Sequence, residues 1–321
     1  MQMKVRANQG QIGLTWLSAG ILFISLVSMS AAQTSRPFPA PSHLAKTVIE
    51  QDVTIDVGHD KIIGTLSLPA TGTTFPAVLI LHGFAPERDG IPVKGTQEGM
   101  FSRPARHWAE QGYATLRIST RGSGGSGGSY ENMTIEGRIE EAMAAVAWLA
   151  SQSNIDPHKI GILGYNQGAI VATATAGRMH DTPTIKSIAL WLPIINPLFY
   201  YGNRSGVSQL ADGLNAKHGE LVPLTTKSKT SRPLKTGFYR DIWTISPAAE
   251  LRSFDGSMLV AMGTKEAEDV PKASAEALLR YHHGPHQLVS FPTDQGIGVF
   301  EGSETLDELA AQTLEWFKKQ L

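Results

Sequence analysis

The sequence predicts a three-layer α/β domain: a mostly parallel central sheet flanked by helices, with a lid-like insertion. Three observations carry that prediction. Short apolar runs with no polar face recur along the chain, as strands buried on both sides of a parallel sheet require. Helical stretches separate these runs, which implies right-handed crossovers between neighbouring strands. One run, Lys159 to Leu163, passes straight through the glycine-flanked turn Gly164-Tyr165-Asn166-Gln167-Gly168 into an Ala-rich helix.

With 321 residues and a hydrophobic fraction of 41%, the chain has ample material for a large core. Its formal charge is −1, from 28 Lys and Arg against 29 Asp and Glu, so no electrostatic surplus drives binding to nucleic acid. Cysteine is absent, which excludes disulfides, thiolate metal sites and cysteine nucleophiles together.

Lys4 and Arg6 precede an uncharged stretch from Ile12 to Ala32, and Ser30-Ala31-Ala32 offers the small residues of a signal-peptidase site. Residues 1–32 are therefore read as a signal peptide, or as an uncleaved membrane anchor, the stretch being about the ~20 residues a bilayer span needs. Either reading places the folded part outside the cytoplasm, secreted or periplasmic. Residues 33–46 read as an extended linker, with three prolines between Ser35 and Pro41.

The domain is expected over 47–321. Val48, Val53 and Ile55 alternate with polar residues, and Lys61 to Leu68 follows a Gly-His-Asp turn, which predicts an antiparallel hairpin. Pro76 to Leu81 is the first buried strand. Further strands are expected at Tyr113 to Ile118, Ile160 to Gly164, Ile188 to Leu192, Met258 to Met262 and Leu288 to Phe291. Between them, Ile135, Ile139, Met143, Val146 and Leu149 share one face of a helix. From about 194 to 247 no clean strand is visible, and a gap of that length inside a compact domain reads as an insertion or lid.

The strand, sharp turn and helix around Asn166 are those of a nucleophile elbow, where flanking glycines relieve crowding around one strained residue. Together with Leu81-His82-Gly83-Phe84, Arg121-Gly122, Gly263-Thr264-Lys265-Glu266 before Val270-Pro271, and Thr293-Asp294-Gln295-Gly296, it resembles the α/β-hydrolase superfamily. The likeness is to bacterial esterases of the dienelactone-hydrolase type and to prolyl-oligopeptidase-type catalytic domains, and it spans Thr47 to Leu321. By position, the resemblance implies a triad of Asn166, Glu266 and Gln295, with the backbone N–H groups of Phe84 and Gln167 as oxyanion donors. Glu266 lies three residues after Gly263, the family's offset for the acid; Asp269 competes for that place and is otherwise read as a cap of the next helix.

Acyl transfer needs a nucleophile that can lose a proton and a base to take it. An amide supplies neither, so Asn166 and Gln295 predict a degenerate site. Backbone donors survive such replacements, and a small acyl, ester or carboxylate ligand is the expected partner. The alternatives are a hydrolase using a serine or aspartate delivered by the lid, and a purely structural or interaction role.

No cofactor or metal is expected. Gly122-Ser123-Gly124-Gly125-Ser126-Gly127 matches a dinucleotide-loop pattern, but Tyr130 to Met133 intervene before any helix. His282, His283 and His286 read as solvated or packed side chains, and Trp191, Phe199, Tyr200, Tyr201, Phe238, Tyr239 and Trp243 mainly as core around the insertion.

Overall fold

The computed structural model describes Phe38 and residues 47–84, 87–179, 185–225, 231–266 and 268–321, without the side chains of Ser231 and Glu266. The expected signal peptide or anchor over 1–32, and the expected linker over 33–46 apart from Phe38, lie outside the described residues.

Two strands, β1 (Val48–Val57) and β2 (Asp60–Pro69), form the expected hairpin in antiparallel register, with Val48 opposite Pro69. The remaining strands of the main sheet are β3 (Phe75–Leu81), β4 (Ala114–Ile118), β5 (Ile155–Tyr165), β6 (Ile185–Trp191), β9 (Ser257–Gly263) and β10 (His286–Phe291). Their spatial order is β1-β2-β4-β3-β5-β6-β9-β10, and every pairing from β4 to β10 is parallel. β5 therefore sits near the middle, and its C-terminal end opens at the edge where the loops after β3, β9 and β10 also emerge.

The apolar runs are two-faced because helices cover both sides. Along β3, Ala77, Leu79 and Leu81 join one core, while Val78 and Ile80 join the other. The first core is closed by α2 (Ile135–Ser151), α3 (Gln167–Arg178) and α8 (Lys272–Tyr281); the second by α1 (Ser102–Glu110) and α9 (Glu304–Gln320). Thr134 caps α2 by accepting from the Gly137 N–H at 2.8 Å, and Ile135, Ile139, Val146 and Leu149 are buried as their spacing predicts.

The insertion between β6 and β9 departs from expectation. It holds α4 (Pro197–Ser205), α5 (Val207–Asn215), α6 (Thr236–Thr244) and the short α7 (Pro247–Glu250), and also a hairpin of β7 (Val222–Thr225) and β8 (Ser231–Leu234) that the sequence reading did not foresee. Each strand is four residues long and Pro223 faces Pro233 across the ladder, so neither shows an alternating pattern. The Tyr239 hydroxyl, donating to the Val222 carbonyl at 2.9 Å, ties α6 to this hairpin.

Candidate functional site

Asn166 occupies the turn between β5 and α3 with φ 52° and ψ −112°, a conformation that costs a non-glycine residue about 1–3 kcal/mol. Backbone bonds hold it there. Its N–H donates to the Trp191 carbonyl at 3.0 Å, and its carbonyl accepts from Ala169 at 3.1 Å and Ile194 at 3.3 Å. The flanking glycines have a steric reason as well. A Cβ on Gly164 would stand 2.5 Å from the Gly168 carbonyl oxygen, and one on Gly168 would stand 2.2 Å from that of Leu81. The first turn of α3 thus lies directly against the end of β3, which carries the His82-Gly83-Phe84 loop.

The Asn166 side chain is 4% exposed, and its Nδ2 donates to the Tyr200 hydroxyl at 3.2 Å. Gln295, in the loop between β10 and α9, reaches the same hydroxyl, with Nε2 at 2.9 Å and Oε1 at 3.1 Å. Its main-chain carbonyl accepts from the Tyr165 hydroxyl. Asn166 and Gln295, the residues expected at two of the triad positions, are therefore brought together, and a tyrosine from α4 bridges them. No histidine hydrogen-bonds to Asn166 or Gln295 among the described residues.

Tyr200 is placed by its own helix. Pro197 starts α4, Asn196 caps it by accepting from the Phe199 N–H at 3.0 Å, and Arg204, one turn on, lies over the Tyr200 ring at 5.2 Å from its centroid. Arg204 donates to Asp269 at 2.7 Å. This corrects the capping role expected of Asp269: α8 has Pro271 at its N-cap and no side-chain cap, and the Asp269 carboxylate is buried against Arg204 instead. Glu266 ends a 3-10 turn that follows β9, and the Lys265 N–H donates to the Thr293 carbonyl at 3.1 Å, so the acid-position loop abuts the Gln295 loop.

Gln167 is fully buried. Its Nε2 donates to the Tyr201 hydroxyl at 2.7 Å, and its Oε1 accepts from Arg138, which also donates to the carbonyls of His82 at 2.5 Å and Gly83 at 3.2 Å. One guanidinium thereby joins the loop after β3 to the first residue of α3. Burial depresses the pKa of Arg138 and raises that of the Tyr201 phenol. Burial also pushes the Glu141 carboxyl, one turn beyond Arg138 on α2, up to about 7. Among the described residues, the main-chain N–H groups of Phe84 and Gln167 have no acceptor within the protein.

Sequence reasoning missed Arg138 and the Arg204–Asp269 pair as parts of the site, and placed Tyr200 only among the aromatics of the insertion. Arg138 carried a legible signal: it falls on the apolar face of α2, beside Ile135 and Ile139. Most of the aromatics around the insertion are core, as expected. Trp191 packs on Trp108 and Tyr201, Phe238 and Tyr239 are core, whereas Phe199 and Trp243 are exposed. The Gly122 to Gly128 loop packs against Tyr130 and Ser119, and no group of histidines and carboxylates able to hold a metal occurs among the described residues.

Residues 58–279 match the X-Pro dipeptidyl-peptidase (S15) family. The chain belongs to that family. Among curated relatives, the quorum-quenching protein AidA of Acinetobacter baumannii is 29% identical over 303 residues, covering 84% of this chain and 94% of that protein. The uncharacterized protein Rv2307c of Mycobacterium tuberculosis is 30% identical over 139 residues, and the chain spans 45% of its length. Among solved structures, Est1E from Butyrivibrio proteoclasticus with bound ferulic acid superposes with a TM-score of 0.66 at 21% identity, covering 84% of this chain and 98% of that one. At that identity the likeness speaks for the α/β-hydrolase fold, which this S15-family chain has.

Proposed function

We propose that this S15-family chain is an exported, non-hydrolytic member that binds a small acyl, ester or carboxylate ligand at the elbow. The observation that carries this reading is the Tyr200 hydroxyl, bonded at once to Asn166 and Gln295 where a working site needs a nucleophile and its base. None of the three loses a proton readily near neutral pH. The N–H groups of Phe84 and Gln167, without an acceptor among the described residues, are suited to an anionic or carbonyl oxygen. The relationship to a quorum-quenching protein over nearly all of that protein's length favours a small molecule over a protein partner.

Turnover of 4-nitrophenyl acetate and methyl ferulate tests the reading. The expected result is no rate above buffer, since each lost triad function costs several orders of magnitude. Turnover abolished by Asn166→Ala would show that the amide site is catalytic after all. Turnover that survives this change would reveal a different centre. Ferulate, bound by the structurally similar Est1E, is a fitting binding probe.

A further inference from the structure

A guanidinium with no carboxylate of its own lies behind the elbow. Arg138 is buried, and every hydrogen bond its guanidinium makes among the described residues goes to a neutral oxygen. These are the carbonyls of His82 at 2.5 Å and Gly83 at 3.2 Å, and Gln167 Oε1. Glu141, one turn further along α2, forms its ion pair with Arg121 at 3.4 Å and acts on Arg138 only through space. A buried, unpaired charge is costly, and a guanidinium does not escape that cost by losing its proton near neutral pH. Oriented dipoles offset it here.

Those dipoles have second ends. In a planar trans peptide the C=O and the N–H point in opposite directions, so the unit whose Gly83 carbonyl faces Arg138 turns its Phe84 N–H away from the guanidinium. His82 Nδ1 lies 2.8 Å from the same Gly83 oxygen, and two contacts on one carbonyl fix the plane of that peptide. Gly83 is also pressed on the elbow: a Cβ there would stand 3.0 Å from the Tyr165 ring and 3.1 Å from the Asn166 Cβ. On the other side, Arg138 holds the side chain of Gln167, which donates to the Tyr201 hydroxyl at 2.7 Å and whose own N–H opens α3. One cation therefore braces both N–H groups that lack an acceptor among the described residues. The first is the positive end of a peptide dipole aligned by Arg138, and the second stands at the positive end of a helix.

We infer that Arg138 is a positioning residue: it fixes the Phe84 and Gln167 N–H groups as one pair and, through its unpaired charge, biases that pair toward an anionic oxygen over a neutral carbonyl. The inference rests on the reading that the elbow binds a ligand, and it adds charge selectivity to that reading. Arg138 acts through the Gly83–Phe84 peptide and Gln167, not by touching the ligand.

The test titrates the full chain, in mild detergent, with ferulate and its uncharged isostere ferulamide by calorimetry, and follows hydrogen exchange at His82 to Phe84 without ligand. Wild type is expected to bind ferulate about tenfold more tightly than ferulamide, the scale on which hydrogen bonds to a charged acceptor exceed those to a neutral one. Arg138→Gln should bring the ratio close to one and speed exchange at His82 to Phe84 about tenfold. Arg138→Lys keeps the charge but loses the planar fork, so the ratio should stay within about threefold of wild type while exchange still rises. Circular dichroism checks that each variant is folded, and the lysine variant carries the test if the glutamine variant is not. A ratio unchanged in Arg138→Gln overturns the inference even if exchange rises, because a mere strap would loosen the loop and weaken both probes alike. A ratio lost in Arg138→Lys, or exchange unchanged in both variants, overturns it as well. Equal binding of the two probes by wild type sinks this inference alone, whereas binding of neither sinks the elbow reading and the inference with it.

Discussion

On the proposed non-hydrolytic reading, Tyr200 sets the terms for introducing triad chemistry at the elbow, because its hydroxyl sits between the two amides. Asn166→Ser provides a hydroxyl without a base, and Gln295→His a base without a nucleophile, so neither alone should give measurable esterase activity. The double variant should exceed both by far more than the product of their effects. Adding Tyr200→Phe should raise it further, since the phenol otherwise competes for the new imidazole. Equal, negligible rates in all variants, with the fold intact, would mean the backbone donors no longer face the ligand. Glu141 offers an independent residue-scale test. Its folded pKa of about 7 lies above the ordinary 4.5, so folding favours the protonated form and this group's contribution falls as pH rises through that window. Above pH 7 the buried carboxylate should cost about 3 kcal/mol, which Glu141→Gln removes. Denaturant midpoints should show the variant gaining on wild type between pH 5 and pH 8; parallel pH profiles would contradict this.

Among the elements, the junction of β5 with α3 is the least forgiving. A Cβ at Gly168 would meet main-chain oxygen at 2.2 Å from Leu81 and 2.6 Å from His82, and backbone cannot step aside as a side-chain tip can. Gly168→Ala should destabilise the fold by about 2 kcal/mol or more and displace the Phe84 loop. A denaturation midpoint within experimental error of wild type would show that α3 does not press on β3 as closely as the structure has it. α4 is anchored through side chains, among them the hydroxyls of Tyr200 and Tyr201 at the elbow and the Arg204–Asp269 ion pair. Asp269→Asn weakens the hold of Arg204 and should loosen Tyr200 while leaving the sheet untouched. Faster hydrogen exchange confined to α4 is the expected signature, and spread of the effect into β5 would refute it.

At the scale of the molecule, the domain reaches beyond its first strand. The Phe38 N–H donates to Asp89 at 3.3 Å and its carbonyl accepts from the buried Arg106, so part of the expected linker is bound to the folded body. Arg106 and Arg117 are both fully buried and share Glu50, whose carboxyl is held below its usual range by these two guanidiniums against the opposing effect of burial. Export, proposed from the first 32 residues, predicts a mature chain beginning at Gln33 in the periplasmic or culture fraction. Intact-mass measurement of the protein from its own host decides this. A full-length mass in the membrane fraction would show an anchor instead.

Local chemistry made much of this protein legible in its sequence. Strands buried on both faces leave unbroken apolar runs, a helix face repeats at fixed spacing, and a turn too tight for Cβ atoms records itself as Gly164 and Gly168. That Asn166 and Gln295 carry amides, which neither lose nor take up a proton near neutral pH, is read from the side chains alone. What the fold decided was who fills the space between them. Tyr200 lies 34 residues from Asn166 and 95 from Gln295, and no local pattern encodes a meeting over such separations. The same holds for Arg204 with Asp269, and for Arg138, whose place on an apolar helix face hinted at burial but not at the carbonyls it serves. The β7–β8 hairpin stayed hidden because its strands are short and carry facing prolines, so packing against α5 and α6, not periodicity, determines that they pair.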